Sequence, residues 1–105
     1  MPIELTKDEY KSTMTDGIID VTQTAEPALD IWPFVEKLNS EKIVPDYTFK
    51  NELVETVYRN KAETFDHVLL PTADINIFIV IIVDLVNTSI KGYRRLDLNA
   101  EYGLT

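Results

Sequence analysis

Apolar positions recur at helical spacing up to Ser40 and then change to runs and alternation from Tyr47 onward. The change marks a chain with helices first and strands after, an α+β arrangement. The first helix is announced by Thr6-Lys7-Asp8-Glu9, where the Thr6 hydroxyl can accept from the Glu9 amide and the Glu9 carboxylate can reach back to Thr6. Leu5 and Tyr10 occupy the two positions of a hydrophobic staple around that capping box. Tyr10, Met14, Ile18 and Val21 continue one stripe to Thr22. Gly17 within this stripe disfavours an unbroken helix by about 1 kcal/mol relative to alanine, so a break at Asp16-Gly17 with Ile18 to Thr22 as a short edge strand is the alternative.

Gln23 to Leu29 reads as a connection around Pro27. Asp30 then caps a second helix with Pro33 in its first turn, and Ile31, Phe34, Val35 and Leu38 form one apolar face that ends at Asn39-Ser40. Trp32 lies beside that face and closes the edge of the core. Strands are predicted at Tyr47 to Phe49, Leu53 to Arg59, Phe65 to Leu70, Ile75 to Val86 and Ile90 to Leu98. The connections between the last four are too short for parallel crossovers, so successive strands pair as an antiparallel meander. Asn99 to Gly103 has the form of a capped helical turn that folds the C-terminus back on the sheet. The expected fold is therefore two N-terminal helices on a four- to five-stranded antiparallel β-meander with a short C-terminal helical turn, all within one domain spanning residues 1–105.

Simple hairpin closure sets Arg59 opposite Phe65, Leu70 opposite Ile75 and Val86 opposite Ile90. Face one of the sheet then carries Leu53, Glu55, Val57, Arg59, Phe65, His67, Leu69, Phe78, Val80, Ile82, Arg94, Leu96 and Leu98. Face two carries Val54, Thr56, Tyr58, Asp66, Val68, Leu70, Ile77, Ile79, Ile81, Val83, Tyr93, Arg95 and Asp97. A bulge at any hairpin would slip the register and exchange these assignments, and Gly92 within its strand marks a bulge or a close approach.

Both faces are largely apolar, above all along the uninterrupted Ile77 to Val83. Two short helices cover two faces with difficulty, and soluble monomers rarely expose an apolar patch beyond a few hundred Å². The pattern thus predicts that face two meets a second copy or another protein, with Tyr58, Ile77, Ile79, Ile81, Tyr93 and Arg95 at the interface. A tightly curled sheet covered on both sides by its own helices is the alternative.

Composition narrows the partners. The net charge is −8, with 11 acidic and 5 basic side chains in residues 1–52 against 7 and 5 in residues 53–105. Such a field repels phosphate backbones and anionic membranes, so neither nucleic acid nor membrane is an expected partner, whereas a basic protein is. Seven apolar residues in a row are too few to cross a bilayer. The N-terminal residues have neither a basic start nor an apolar stretch, which makes the cytoplasm the expected location. The absence of cysteine removes disulfides and thiolate chemistry and fits a reducing compartment.

The sole histidine, His67, falls on face one with Glu55, Arg59 and Arg94, the only cluster that resembles a ligand site. Such groups can line a pocket between helices and sheet, where histidine would serve as acid or base near neutral pH; a hydrogen-bonded core histidine beside a structural ion pair is the plainer reading. One histidine and scattered carboxylates offer no metal site, and no cofactor is expected. Ser12, Ser40 and Ser89 lack a nucleophile elbow, and the isolated Gly17, Gly92 and Gly103 form no phosphate-cradling loop, so no catalytic residue is assigned. The first expectation is a non-enzymatic interaction protein, a homodimer or an acidic partner of another protein, as small acidic inhibitors of basic toxins are in composition. The second is a small-molecule binder or enzyme built on the His67 cluster.

Overall fold

A computed structural model describes residues 3–14, 18–21, 30–45, 47–49 and 56–98. Its elements are α1 (Lys7–Ser12), β1 (Ile18–Val21), α2 (Trp32–Ser40), β2 (Thr56–Asn60), β3 (Phe65–Pro71), β4 (Ile77–Asp84) and β5 (Ser89–Asp97). The five strands form one antiparallel sheet in the order β1-β2-β3-β4-β5. The fold is α+β, and the meander follows from connections too short to do anything else.

The capping box forms as the sequence demands: the Thr6 amide donates to Glu9 Oε1 at 2.8 Å and the Glu9 amide to Thr6 Oγ1 at 3.1 Å. Hydrogen bonding from Thr6, its backbone amide foremost, holds the Glu9 carboxyl below its ordinary pKa. The helix nevertheless stops at Ser12, and Ile18–Val21 pairs with β2 as the edge strand given above as the alternative. An edge pairing outcompetes continuation of a helix that contains Gly17.

In α2 the Trp32 amide is accepted by Asp30 Oδ1 at 3.0 Å, so Asp30 caps as predicted although helical geometry begins two residues later. The helix ends in a Schellman motif. Ile43 N donates to Leu38 O, Lys42 N donates to Asn39 O, and Lys42 takes φ 51° between them. Lys42→Gly is expected to raise stability by up to about 1 kcal/mol in urea denaturation, since glycine takes that conformation without a Cβ penalty. Asn39, predicted only as a helix end, does more. Its amide group donates to Phe49 O at 3.0 Å and accepts from Phe49 N at 2.8 Å, so it substitutes for a neighbouring strand and sets Phe49 into the core.

All three hairpin registers differ from simple closure. Arg59 faces Asp66, not Phe65, because the Asn60 side chain organises a longer loop, accepting from Thr64 N and Phe65 N at 2.7 and 3.0 Å. The slip of one residue exchanges the faces of β2: Val57 and Arg59 belong to face two, Tyr58 to face one. Leu70 faces Ile79 rather than Ile75, a shift that keeps the predicted parity, and Ile90 faces Val83 rather than Val86, an odd shift that a bulge reverses, so the face assignments of β3, β4 and the body of β5 stand. A bulge lies between Ile82 and Val83, opposite the segment that contains Gly92.

Each face has its own apolar cluster. On face two, α2 and the segment after it bring Ile31, Val35, Leu38 and Phe49 onto Val57, Val68, Leu70, Ile79, Ile81, Val83 and Tyr93. On face one, Leu5 and Tyr10 cover Val80, Ile82 and Leu96, with Met14, Phe65, Leu69, Phe78 and Leu98 around them. The sheet is thus clothed on both sides from within the chain, and the uninterrupted apolar run is explained by a helix on each face. Leu53, Val54, Glu55 and the expected turn at Asn99 to Gly103 lie outside the described residues.

Residues Ile3 to Leu5 run along the outer edge of β5 as a strap. Leu5 N donates to Tyr93 O at 2.8 Å and Tyr93 N to Ile3 O at 2.9 Å, a parallel bridge. Gly92 permits the approach: a Cβ there would stand 2.5 Å from Ile3 O and 3.1 Å from Leu5 Cδ2. Backbone cannot yield as a flexible side chain can. Gly92→Ala is expected to destabilise the protein by about 1–3 kcal/mol through overpacking, with the Leu5 amide the first to lose exchange protection.

Candidate functional site

Among the described members of the cluster grouped by the sequence, Arg59 does not join His67 and Arg94. His67 and Arg94 lie on face one, Arg59 has moved to face two, and Glu55 is outside the described residues.

Arg59 is engaged in a bidentate pair with Asp66 across the β2–β3 ladder, Nε to Oδ1 at 2.7 Å and a terminal nitrogen to Oδ2 at 3.1 Å. Asp66 is fully buried while the Arg59 side chain keeps 26% exposure. Donating to the Asp66 carboxylate raises the guanidinium's pKa above its ordinary value. The pair pins two strands together and leaves the arginine little capacity to bind a ligand.

His67, 1% exposed, points into the layer beneath α1. Its Nε2 lies 2.6 Å from Thr13 Oγ1, in the turn that ends α1, and that hydroxyl donates to Tyr10 O at 2.7 Å. A hydroxyl has one hydrogen to give, so with that hydrogen on Tyr10 O, Nε2 is the donor and the neutral ring carries its proton there. Nδ1 makes no hydrogen bond of good geometry. Burial pushes the His67 pKa down to about 4, although the Tyr58 carbonyl and the Asp66 charge both favour the cation. The Tyr10 ring meets the imidazole edge to face at 5.8 Å, and the Arg94 guanidinium stands 5.8 Å from the centroid of the same ring. Arg94 also donates to Leu5 O at 3.2 Å. Tyr10, Thr13, His67 and Arg94 therefore fasten the N-terminal segment to the sheet, and an imidazole kept neutral to well below pH 6 is a poor acid or base at neutral pH.

The interface candidates divide. Ile79 and Ile81 are fully buried and Tyr93 nearly so, within the chain's own face-two core; Ile77 and Tyr58 are half-buried, with Tyr58 on the opposite face, and Arg95 is exposed. The face read as unpartnered is the one α2 covers. The large apolar side chains most exposed among the described residues are instead Ile3, Ile75 and Val86, separate positions at the strap and on two hairpin loops.

Thr13, Asp66 and Asn60 are the polar residues whose roles sequence reasoning missed. Only Asn60, beside a turn, carried a local signal; the partners of Thr13 and Asp66 are set by tertiary placement. Among the described residues no three His, Asp or Glu side chains gather to hold a metal ion, and no helix is long and apolar enough to cross a membrane. Comparison with models of protein families, with curated proteins and with solved structures finds no match to this chain.

Proposed function

We propose that the protein is a non-enzymatic interaction module that acts through its acidic surface on a basic protein partner. What supports this reading most is the use made of the chemically versatile side chains: Arg59 is paired with buried Asp66, and His67 is buried beneath α1. The surface is left to the charge excess, −8 for the chain, with Asp8, Glu9, Asp30, Glu36, Glu41, Glu63 and Asp74 all exposed. A field of one sign accelerates encounter with a partner of the other and makes it sensitive to salt. Self-association through face two is the weaker reading because Ile79, Ile81 and Tyr93 are occupied by α2. A ligand pocket on His67 is weaker still, because Arg59 lies on the other side of the sheet.

The test combines mass and charge. Light scattering of the isolated chain is expected to give the monomer mass across the accessible concentrations. The immobilised chain should retain a basic protein from its native host that salt releases and that the double variant Glu36→Lys/Glu41→Lys fails to retain. A concentration-independent dimer, or a bound protein indifferent to both salt and charge reversal, would overturn the reading.

A further inference from the structure

The N-terminal residues are attached differently from the rest. The attachments of residues 3–14 to the sheet include two backbone bonds to Tyr93, three apolar anchors in Leu5, Tyr10 and Met14, the Arg94 bond to Leu5 O, and the contact between Thr13 and His67. Their helix has six residues, too few to hold its shape without the surface beneath it. Among the described residues the face-two cluster has eleven buried members and contains none of this segment, whereas the face-one cluster has five, of which Leu5 and Tyr10 belong to the segment. Lifting the segment would therefore leave the larger core and all four ladders of the sheet in place.

A proton on His67 works against the closed position. From the α1 turn, the ring meets the Thr13 hydroxyl and the Tyr10 ring; from β2, the Tyr58 carbonyl. The neighbouring strand β4 places apolar Ile82 opposite His67, and β5 contributes the Arg94 guanidinium over Tyr10. Among the described residues the carboxylate that favours the cation is Asp66, whose oxygens are bound to Arg59 on the other face. An imidazolium would thus share the Tyr10 ring with a cation already there, shut away from water. We propose that residues 3–14 form a flap that is released by protonation of His67, lifting from face one as a unit and uncovering the apolar surface of Val80, Ile82 and Leu96 while the face-two core stays folded.

The lowered pKa of the closed state sets the size of the effect. A ring that titrates normally when hydrated and near 4 when covered favours the open flap by roughly 30-fold at about pH 5 relative to about pH 7.5. Amide hydrogen exchange on the intact chain, corrected for the intrinsic pH dependence of exchange, reads this directly. Leu5 and Tyr93 are expected to exchange through an opening of lower free energy than the one that exposes Ile81 and Val83 in β4, and their protection to fall by about that factor between the two pH values. His67→Gln, which can still donate to Thr13 but does not titrate, should flatten the pH dependence. Equal opening free energies at Leu5 and Ile81 at both pH values would mean that the segment opens only by global unfolding and overturn the flap, and pH-independent protection of Leu5 would overturn the role of His67. If His67→Gln does not fold, the wild-type comparison of strap and β4 amides decides alone.

Discussion

Arg59→Ala is expected to destabilise the protein by about 3 kcal/mol, more than Asp66→Ala, although the two substitutions break the same pair. The asymmetry comes from burial. Removing Arg59 leaves the carboxylate of Asp66 at 0% exposure without its counter-charge, in a layer formed by Val57, Val68 and Val83. Removing Asp66 leaves a guanidinium already 26% exposed, which turns outward and hydrates. That partial exposure places the estimate for Arg59→Ala at the low end of the range for broken buried pairs, roughly 3–5 kcal/mol. Arg59→Lys keeps the charge but loses the fork that meets both oxygens, so it should fall between wild type and alanine. Urea denaturation of the three single variants and the double alanine variant measures the coupling. A cost for Arg59→Ala no greater than for Asp66→Ala would show that water reaches Asp66 and that the asymmetry argument is wrong.

Stability is expected to decline as pH falls from about 6.5 towards 4, by up to roughly 3 kcal/mol, because His67 titrates near 6.5 in the unfolded chain and near 4 in the folded one. The sign follows from proton counting. Between those values the unfolded state binds the extra proton, so each step down in pH favours unfolding; above 6.5 the neutral ring contributes its full share, and below 4 the loss is complete. Glu9 and Asp84, whose carboxyls lie below their ordinary values through hydrogen bonds from Thr6 and Asn87, add a further loss only at lower pH. The interval between about pH 5 and 6.5 therefore isolates the histidine. Urea midpoints across that interval should shift for wild type and not for His67→Gln. A flap that lifts first would limit the loss in global stability to the free energy that holds it down, so a slope shallower than the proton count alone predicts is itself informative.

Local patterns carried most of the fold. The capping box at Thr6-Glu9, the Asp30 cap, the α2 face and four of the five strands could be read because each depends on residues a few positions apart. The edge strand at Ile18–Val21 was ambiguous because the stripe through Tyr10, Met14 and Ile18 satisfies both periods, and pairing with β2 decides between them. The β2 register depended on one loop residue: Asn60 draws Thr64 and Phe65 around its side-chain oxygen, and that single extra residue carried Arg59 to the other face, away from His67 and onto Asp66. The candidate site thereby lost Arg59. Coverage of face two was misjudged for a different reason: a nine-residue helix seems small against a sheet, but Asn39 recruits Phe49, and Ile43, Val44 and Tyr47 extend the cover beyond the helix itself.

The bridge between the strap and β5 also has a consequence in time. Every ladder of the sheet joins strands consecutive in the chain, so each can zip soon after its second strand leaves the ribosome. The bond from Arg94 to Leu5 spans 89 positions, and the one between Thr13 and His67 spans 54. Residues 3–14 are thus synthesised before everything they touch and are placed last. Until β5 emerges the nascent chain carries its face-one surface bare, and the interval between making the last strand and seating the first residues is when this protein is most open to capture by a chaperone or by another copy of itself.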